Sequence, residues 1–187
     1  HIYMDGKDYH SMKPEELRKH IAMVPQQVNL FSGTIRENLL LADPDADDQT
    51  LMEAVKEAGL LKFVQSLEKG LNSDVGNAGA SLSGGQRQKI GIARALLSKA
   101  EYMIFDEATS SVDPESEKEI WETIGHLAHT RTLIIISHRM SSVRGADCIY
   151  VLKDGRVAQQ GDHETLMAQD GLYHELVIRQ QAMEVAE

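Results

Sequence analysis

Five polar residues in this sequence lie at the ends of short apolar runs, either directly after the run or one residue beyond it. They are Gln26, Asp106, Glu107, Ser137 and His138. Each apolar run predicts a buried strand, and ligands of open α/β sheets bind just beyond the carboxyl ends of the strands. Each residue alone would be interpreted as a loop or capping residue. Together they favour a functional site, because their polar groups would converge on one rim of the sheet.

The adjacent Ser137 and His138 could suggest a serine nucleophile beside its general base. Adjacent residues of an extended chain point apart, and no G-x-S-x-G motif occurs in the sequence. We therefore reject a serine hydrolase as an interpretation of this pair.

A second motif suited to chemistry is the run Leu82-Ser83-Gly84-Gly85-Gln86. Ser83 is placed to cap a helix, and the two glycines allow backbone N–H groups to approach an anion at the start of that helix. A pair of glycines alone is weak evidence. The run gains specificity from the residues after it, Arg87-Gln88 and then Ala93-Arg94-Ala95-Leu96.

Alternating strands and helices are predicted to position both groups of residues. The pattern predicts strands at 21–24, 102–105 and 132–136, a helix over about 85–98, and a further helix that Asp113 caps. Asp106 and His138 are separated by the length of one βαβ unit. Such continuously apolar strands are typical of a parallel sheet that is covered on both faces.

Local turn and capping signals predict the remaining elements. Asp5-Gly6 and Asp154-Gly155 each predict a β-hairpin, and Thr34 with Glu37 has the spacing of a capping box. Further helices are predicted from Pro14 to Lys19 and on both sides of a turn near Gly59, with a loop over 70–81.

Composition limits the classes of function. At 187 residues the chain can bury one sizeable core, and the formal net charge of -10 argues against a nucleic-acid partner. No apolar stretch approaches the roughly 20 residues of a transmembrane helix. The amino end lacks an initiating Met and is interpreted as the middle of a protein. The single cysteine, Cys148, lies in the apolar run Cys148-Ile149-Tyr150-Val151-Leu152 and is predicted to be a buried residue.

The order Leu82-Ser83-Gly84-Gly85-Gln86, then Tyr102-Met103-Ile104-Phe105-Asp106-Glu107, then Ser137-His138 resembles the ATPase domain of ATP-binding-cassette (ABC) transporters. Val24-Pro25-Gln26 before Leu30-Phe31-Ser32-Gly33-Thr34 resembles the exporter branch. The resemblance implies an α/β fold with the parallel sheet core of P-loop NTPases, incomplete at its N-terminus, a helical subdomain and β-hairpins. It places the helical subdomain at 34–98, and the catalytic core at 1–33 and 99–187.

The resemblance also implies roles for the rim residues. Asp106 would hold Mg²⁺ through water, and Glu107 would polarise the attacking water as a general base. Gln26 would be a ligand to Mg²⁺ or water, and His138 would contact the γ-phosphate of ATP. The implied activity is hydrolysis of ATP with Mg²⁺, coupled to export of a substrate.

Two further segments would act across a dimer. The resemblance implies that the signature loop (Leu82, Ser83, Gly84, Gly85 and Gln86) closes on ATP held by a second ABC ATPase domain. The D-loop comprises Ser110, Ser111, Val112 and Asp113. The other implied partner is a transmembrane domain, which places the ATPase domain at the cytoplasmic face of a membrane; no nucleic-acid partner is expected.

The sequence departs from the family pattern in two places. No G-x-x-x-x-G-K-[ST] motif occurs in the 187 residues, so we expect them to be inactive by themselves. Asn77-Ala78 stands where family members usually carry Glu-Arg, in the segment called the X-loop. Two alternatives stay open at this point: a non-enzymatic assembly fragment, and a soluble ABC-type ATPase of DNA repair or chromosome organisation.

Overall fold

The computed structural model describes residues 1–110 and 112–184. The chain divides into two compact units, the first comprising His1–Ile136 and the second beginning at Ser137. The division into a helical subdomain at 34–98 and a core around it stays a prediction.

The first unit alternates short strands with helices. Its strands are β1 (Tyr3–Met4), β2 (Lys7–Asp8), β3 (Ile21–Val24), β4 (Tyr102–Asp106) and β5 (Thr132–Ile136). Its helices are α1 (Pro14–His20), α2 (Ile35–Leu40), α3 (Asp48–Glu57), α4 (Leu61–Ser66), α5 (Gly84–Leu97) and α6 (Pro114–Ala128). The predicted strands and helices of this unit are thus confirmed, with ends that shift by a residue or two.

A three-stranded parallel sheet with the order β3-β4-β5 forms the centre of the first unit. In its register Val24 lies opposite Phe105, and Phe105 lies opposite Ile135. Every second side chain of each strand, counted from these residues, faces the hydrophobic core, to which α5 and α6 also contribute. The carboxyl ends of the strands therefore lie at one edge, as the sequence predicted.

The other face of this sheet differs from the prediction. The side chains of Met23, Ile134 and Ile136 lie on this face and are 54%, 48% and 50% exposed. Continuous apolarity along a strand predicted burial on both faces. Successive side chains of a strand point to opposite faces of the sheet, and only the side chains on one face contribute to the hydrophobic core.

Two predicted local signals set helix ends in the first unit. Thr34 accepts a hydrogen bond from the backbone N–H of Glu37, and the Glu37 carboxylate accepts one from the Thr34 N–H, so the capping box at α2 is confirmed. Gly59, with φ of 69°, turns the chain between α3 and α4. The predicted loop at 70–81 contains two short 3-10 helices, Gly70–Asn72 and Asn77–Gly79, of the kind that is common in connecting segments.

The second unit is a hairpin packed with three helices. Its elements are α7 (Met140–Val143), β6 (Ile149–Lys153), β7 (Arg156–Gly161), α8 (His163–Ala168) and α9 (Leu172–Glu184). Ile149, Val151, Leu166, Tyr173 and Val177 form its buried cluster. Nδ1 of His163 lies 2.9 Å from the hydroxyl oxygen of the buried Tyr173.

The prediction for Cys148 is wrong, because its side chain is exposed. Strand β6 begins at the next residue and alternates, with Ile149 and Val151 buried while Tyr150 and Leu152 are exposed. Cys148 precedes the exposed Tyr150 by two residues and so follows the same alternation as the exposed side chains. The apolar residues after it therefore do not bury it.

Both predicted hairpin turns are confirmed. Asp5 and Gly6 join β1 to β2, and Asp154 and Gly155 join β6 to β7. All four residues have positive φ, at 49°, 78°, 52° and 73° in chain order. This is the backbone geometry that a two-residue hairpin of the favoured hand requires, and Asp-Gly sequences adopt it readily.

Candidate functional site

The rim of the site is the carboxyl end of β4. Asp106 is the last residue of that strand, and Glu107 follows it; both side chains are half-buried. The Glu107 N–H donates to the carbonyl oxygen of Ile136 at 2.9 Å, and its own carbonyl oxygen accepts from the Ser110 N–H at 3.1 Å. The loop after β4 is thereby attached to the end of β5.

Glu107 has an unusual backbone conformation for a residue with a side chain. Its φ is 47°, in the left-handed region that favours glycine and costs other residues on the order of 1–2 kcal/mol. Its backbone hydrogen bonds hold this conformation at the point where the chain leaves the sheet. Strain of this kind is often found at functional sites, where it directs a side chain away from the regular course of a strand.

Gln26 is brought into contact with the loop that follows β4. Its Nε2 donates to the hydroxyl oxygen of Ser110 at 2.9 Å, and the Gln26 side chain is exposed. The sequence placed Gln26 and Ser110 in two separate predicted motifs. The structure joins them at the rim, with Ser110 bonded through its N–H to the carbonyl oxygen of Glu107.

The rest of the predicted D-loop leads into α6. Ser111 lies outside the described residues, and Val112 packs partly buried against the core. Asp113 caps α6 by accepting from the Ser116 N–H at 2.9 Å, as its position predicted. This backbone hydrogen bond, followed by a weaker side-chain contribution from Ser116, lowers the pKa of Asp113 below its ordinary value.

His138 belongs to the second unit, where its side chain is exposed. The neighbouring Ser137 accepts a hydrogen bond from the Arg139 N–H at 3.0 Å, and Gln180 of α9 accepts from the Met140 N–H at 2.7 Å. His138 thus lies in a short segment whose far end, at Met140, is hydrogen-bonded to α9. Its role beside Glu107 stays a prediction.

The signature loop begins α5 as the sequence predicted. Ser83 accepts from the Gln86 N–H at 3.2 Å, and Gln86 accepts from the Ser83 N–H at 2.9 Å, which completes a second capping box. Ser83 is exposed and Gly84 is half-buried, whereas Leu82 and Gly85 are buried. The exposed surface of this loop is therefore centred on Ser83 and Gly84.

Gly85 has a packing reason that the sequence did not reveal. A Cβ at this position would lie 2.6 Å from both Cβ and Oγ of Ser116, where α6 crosses close to α5. The glycine therefore permits the close approach of two helices, in addition to any contact with an anion.

The predicted X-loop lies beside the segment that precedes α2. The Ser32 hydroxyl donates to the Asn77 Oδ1 at 3.3 Å, and Ala78 has φ of 51°. The side-chain bond ties the X-loop to residues near the capping box at Thr34. The left-handed conformation of Ala78 is strained for a residue with a Cβ.

Sequence reasoning missed a set of polar residues on and around α5. Gln88 and Asn38 are 3% and 1% exposed, and Arg94 makes one hydrogen bond to Asn29, between β3 and α2, and two to Asn38 within α2. Burial lowers the pKa of the Arg94 guanidinium. The available signal was the presence of polar residues at positions where α5 faces the core.

Metal chemistry at the rim would depend on few protein ligands. Within residues 1–110 and 112–184, no three His, Cys, Asp or Glu side chains converge to hold a metal ion. Asp106 and Gln26 offer a carboxylate and an amide, which suit Mg²⁺. Two such ligands fit a cation that keeps several water molecules and is bound mainly by phosphates, as Mg²⁺ usually is in nucleotide sites.

Comparisons with known proteins agree on one family. The family model described as "ABC transporter" matches residues 1–110. An ATP-dependent lipid A-core flippase of Colwellia psychrerythraea is 41% identical over 94% of this chain and 29% of its own length. The human mitochondrial potassium channel ATP-binding subunit is 42% identical over 96% of this chain and 24% of its own length.

A solved structure matches as well. The structure of a bacterial Atm1-family ABC exporter with ATP bound superposes with a TM-score of 0.87 at 38% identity, over 95% of this chain and 31% of that one. The chain thus spans less than a third of the length of these relatives. In the part of the chain that the structure describes, no helix is both long and apolar enough to cross a membrane. With the family model, the relatives and the fold in agreement, the chain belongs to the ABC transporter family.

Proposed function

We propose that this chain is the ATP-hydrolysing part of an ABC exporter. The observation that carries the proposal is the arrangement at the end of β4, where the Asp106-Glu107 pair and the Gln26–Ser110 hydrogen bond meet at one rim. Relatives named as flippases and an exporter support this interpretation over a DNA-repair ATPase or a non-enzymatic fragment.

Each predicted site residue has a defined task in this proposal. The Glu107 carboxylate accepts a proton from the water that attacks the γ-phosphate. Asp106 and Gln26 would hold Mg²⁺, Asp106 through a water molecule and Gln26 through its amide oxygen. His138 donates a hydrogen bond to a γ-phosphate oxygen. Mg²⁺, when bound, neutralises charge on the β- and γ-phosphate oxygens.

The signature loop and the D-loop act across a dimer in this proposal. Ser83 and Gln86 use their N–H groups in the capping box, so the N–H groups of Gly84 and Gly85 at the start of α5 are the ones that suit a phosphate held by the second ATPase domain. Leu82, Gly85 and Gln86 shape this helix start, and Ser110, Val112 and Asp113 of the D-loop would complete the facing surface. A transmembrane domain is the other partner, so the site operates at the cytoplasmic face of a membrane.

Replacing the proposed base tests the activity in the intact transporter. We expect Glu107→Gln to retain ATP binding and to lower the rate of phosphate release by on the order of 10²- to 10⁴-fold. Glu101→Gln is the matched control, because Glu101 is an exposed carboxylate at the opposite end of β4. If Glu107→Gln hydrolysed ATP at the parent rate, Glu107 would not be the base.

The same variant tests the dimer. ATP should trap Glu107→Gln as a stable dimer, and adding Ser83→Tyr should abolish the trap while leaving ATP binding unchanged. Asp47→Tyr is the control, since Asp47 is likewise an exposed residue that caps a helix, in this case α3, and its replacement also removes a helix cap. A trap that survives Ser83→Tyr would contradict the proposed contact across the dimer.

A further inference from the structure

One face of α5 holds the segment from Pro25 to Asn38, which follows β3 and includes the start of α2. Gln88, Gly91 and Arg94 occupy every third position of that helix, which places them in one row along its surface. Each of the three meets a different part of the segment from Pro25 to Asn38. Gln26 lies near the start of this segment.

Gln88 makes the first contact. It is 3% exposed, and its Nε2 donates to the carbonyl oxygen of Pro25 at 3.0 Å. Pro25 directly precedes Gln26, so this bond fixes the peptide unit from which the Gln26 side chain extends. Proline has no N–H of its own, so the carbonyl oxygen is the one backbone hydrogen-bonding group that this residue offers.

Gly91 and Arg94 make the other contacts in the row. A Cβ at Gly91 would lie 2.5 Å from Cγ2 of Val28, so the segment approaches the helix closely there. The Arg94 guanidinium donates to the carbonyl oxygens of Asn29 and Asn38, each at 2.7 Å, and to Oδ1 of Asn38 at 2.6 Å. The segment is therefore attached to α5 along its course.

The Gln26 side chain has a contact of its own, a hydrogen bond from Nε2 to the hydroxyl oxygen of Ser110 at 2.9 Å. Ser110 in turn donates its N–H to the carbonyl oxygen of Glu107. Gln26 thus stands between a buried residue of α5 and the loop that carries Glu107. The helix that begins at the signature loop has a direct attachment to the backbone of the rim.

We propose that Gln88 is a positioning residue that fixes Gln26 for catalysis. It acts through the carbonyl oxygen of Pro25, so a displacement of α5 carries the backbone of Gln26 with it. The inference rests on the proposed function, in which Gln26 holds Mg²⁺ or water. It adds that the helix facing the second ATPase domain sets the position of this ligand.

The first test is Gln88→Met in the intact transporter. Met has a similar length and a good helix propensity, and it removes the amide donor. We expect kcat to fall roughly 10- to 100-fold, as for other residues that orient a metal ligand, with the KM for ATP within about twofold of the parent. Lys89→Met is the matched control, because the neighbouring Lys89 is also buried on α5 but contacts Glu119 of α6.

A double-mutant cycle separates positioning from a general structural effect. If Gln88 acts through Gln26, Gln88→Met should lower kcat little further once Gln26→Ala is present. Equal losses in both backgrounds would overturn the proposal, and so would a Lys89→Met loss as large as that of Gln88→Met.

Amide hydrogen exchange gives a readout that needs no hydrolysis. Gln88→Met should accelerate exchange across residues 26–29, and Lys89→Met should not. Unchanged exchange in Gln88→Met would overturn the inference even in an active transporter. A parent protein without ATPase activity would overturn the proposed function, and the exchange result would still decide whether Gln88 holds the segment.

Discussion

The interior of β4 and the rim at its end differ sharply although they are adjacent in the chain. Met103 and Phe105 are fully buried in the core, whereas Asp106 and Glu107 are half-buried and polar. The strand residues have regular extended geometry, and Glu107 has a positive φ. The core residues that stabilise the fold and the residues of the proposed chemistry are thus neighbours in the chain, and the end of the strand separates them.

This difference has a physical origin. Inside the strand, alternation directs every second side chain into the core, where burial of apolar surface stabilises the fold. Beyond the last residue, the chain turns and leaves the ladder, so backbone conformation is held by single hydrogen bonds to Ile136 and Ser110. Predictions that change one region and spare the other test this separation.

The largest effect on folding is expected at Phe105. Phe105→Ala would leave a cavity in the core and should lower the free energy of unfolding by about 3–5 kcal/mol. Glu107→Gln, two residues away, should change it by no more than about 0.5 kcal/mol. Urea unfolding of both variants in the intact protein, followed by circular dichroism, measures the difference. Similar losses in the two variants would show that rim and core are not separable.

A smaller effect of the opposite sign is expected at Glu107 itself. Glu107→Gly should raise the free energy of unfolding by about 1 kcal/mol, because glycine adopts positive φ without the steric cost of a Cβ. The same change should abolish ATP hydrolysis, since it removes the proposed base. Thermal unfolding and phosphate release measure the two outcomes.

Asp154→Gly provides the control for that change. Asp154 has φ of 52° in the turn between β6 and β7, and aspartate tolerates this region better than glutamate does. Its stability gain should therefore be smaller, and hydrolysis should stay at the parent rate. A loss of stability in Glu107→Gly would mean that side-chain contacts of Glu107 outweigh its backbone strain.

The smallest effect is expected on the pH dependence of stability, through Asp113 at the start of α6. The hydrogen bond from the Ser116 N–H lowers the pKa of Asp113 in the folded state. Its stabilising contribution is therefore fully present above the unfolded-state pKa of about 3.9, and it is lost as pH falls through the lower folded value. Asp113→Asn keeps a good helix cap without a titrating group.

Thermal unfolding of the parent and Asp113→Asn, from about pH 6 to about pH 3, measures this contribution. The parent should lose more stability than the variant towards the acid end. Parallel curves would show that the Asp113 carboxylate gains nothing from its cap when ionised.

Local signals in the sequence determined most elements of the fold. Asp-Gly pairs predicted both hairpins, and Thr34, Ser83 and Asp113 predicted three helix starts. These predictions succeed because capping and turn formation involve residues only a few positions apart, so their energies depend little on the rest of the chain. The family motifs likewise predicted which residues stand at the strand ends.

Tertiary structure decided which of the predicted residues meet and which faces are buried. The exposure of Cys148, the close approach of α6 at Gly85 and the bond from Gln26 to Ser110 were not readable from local patterns. The bond from Gln88 to Pro25 joins residues far apart in sequence. Such contacts depend on helix rotation and strand register, which are set by packing of the whole core, whereas sequence spacing alone fixes only neighbours along one element.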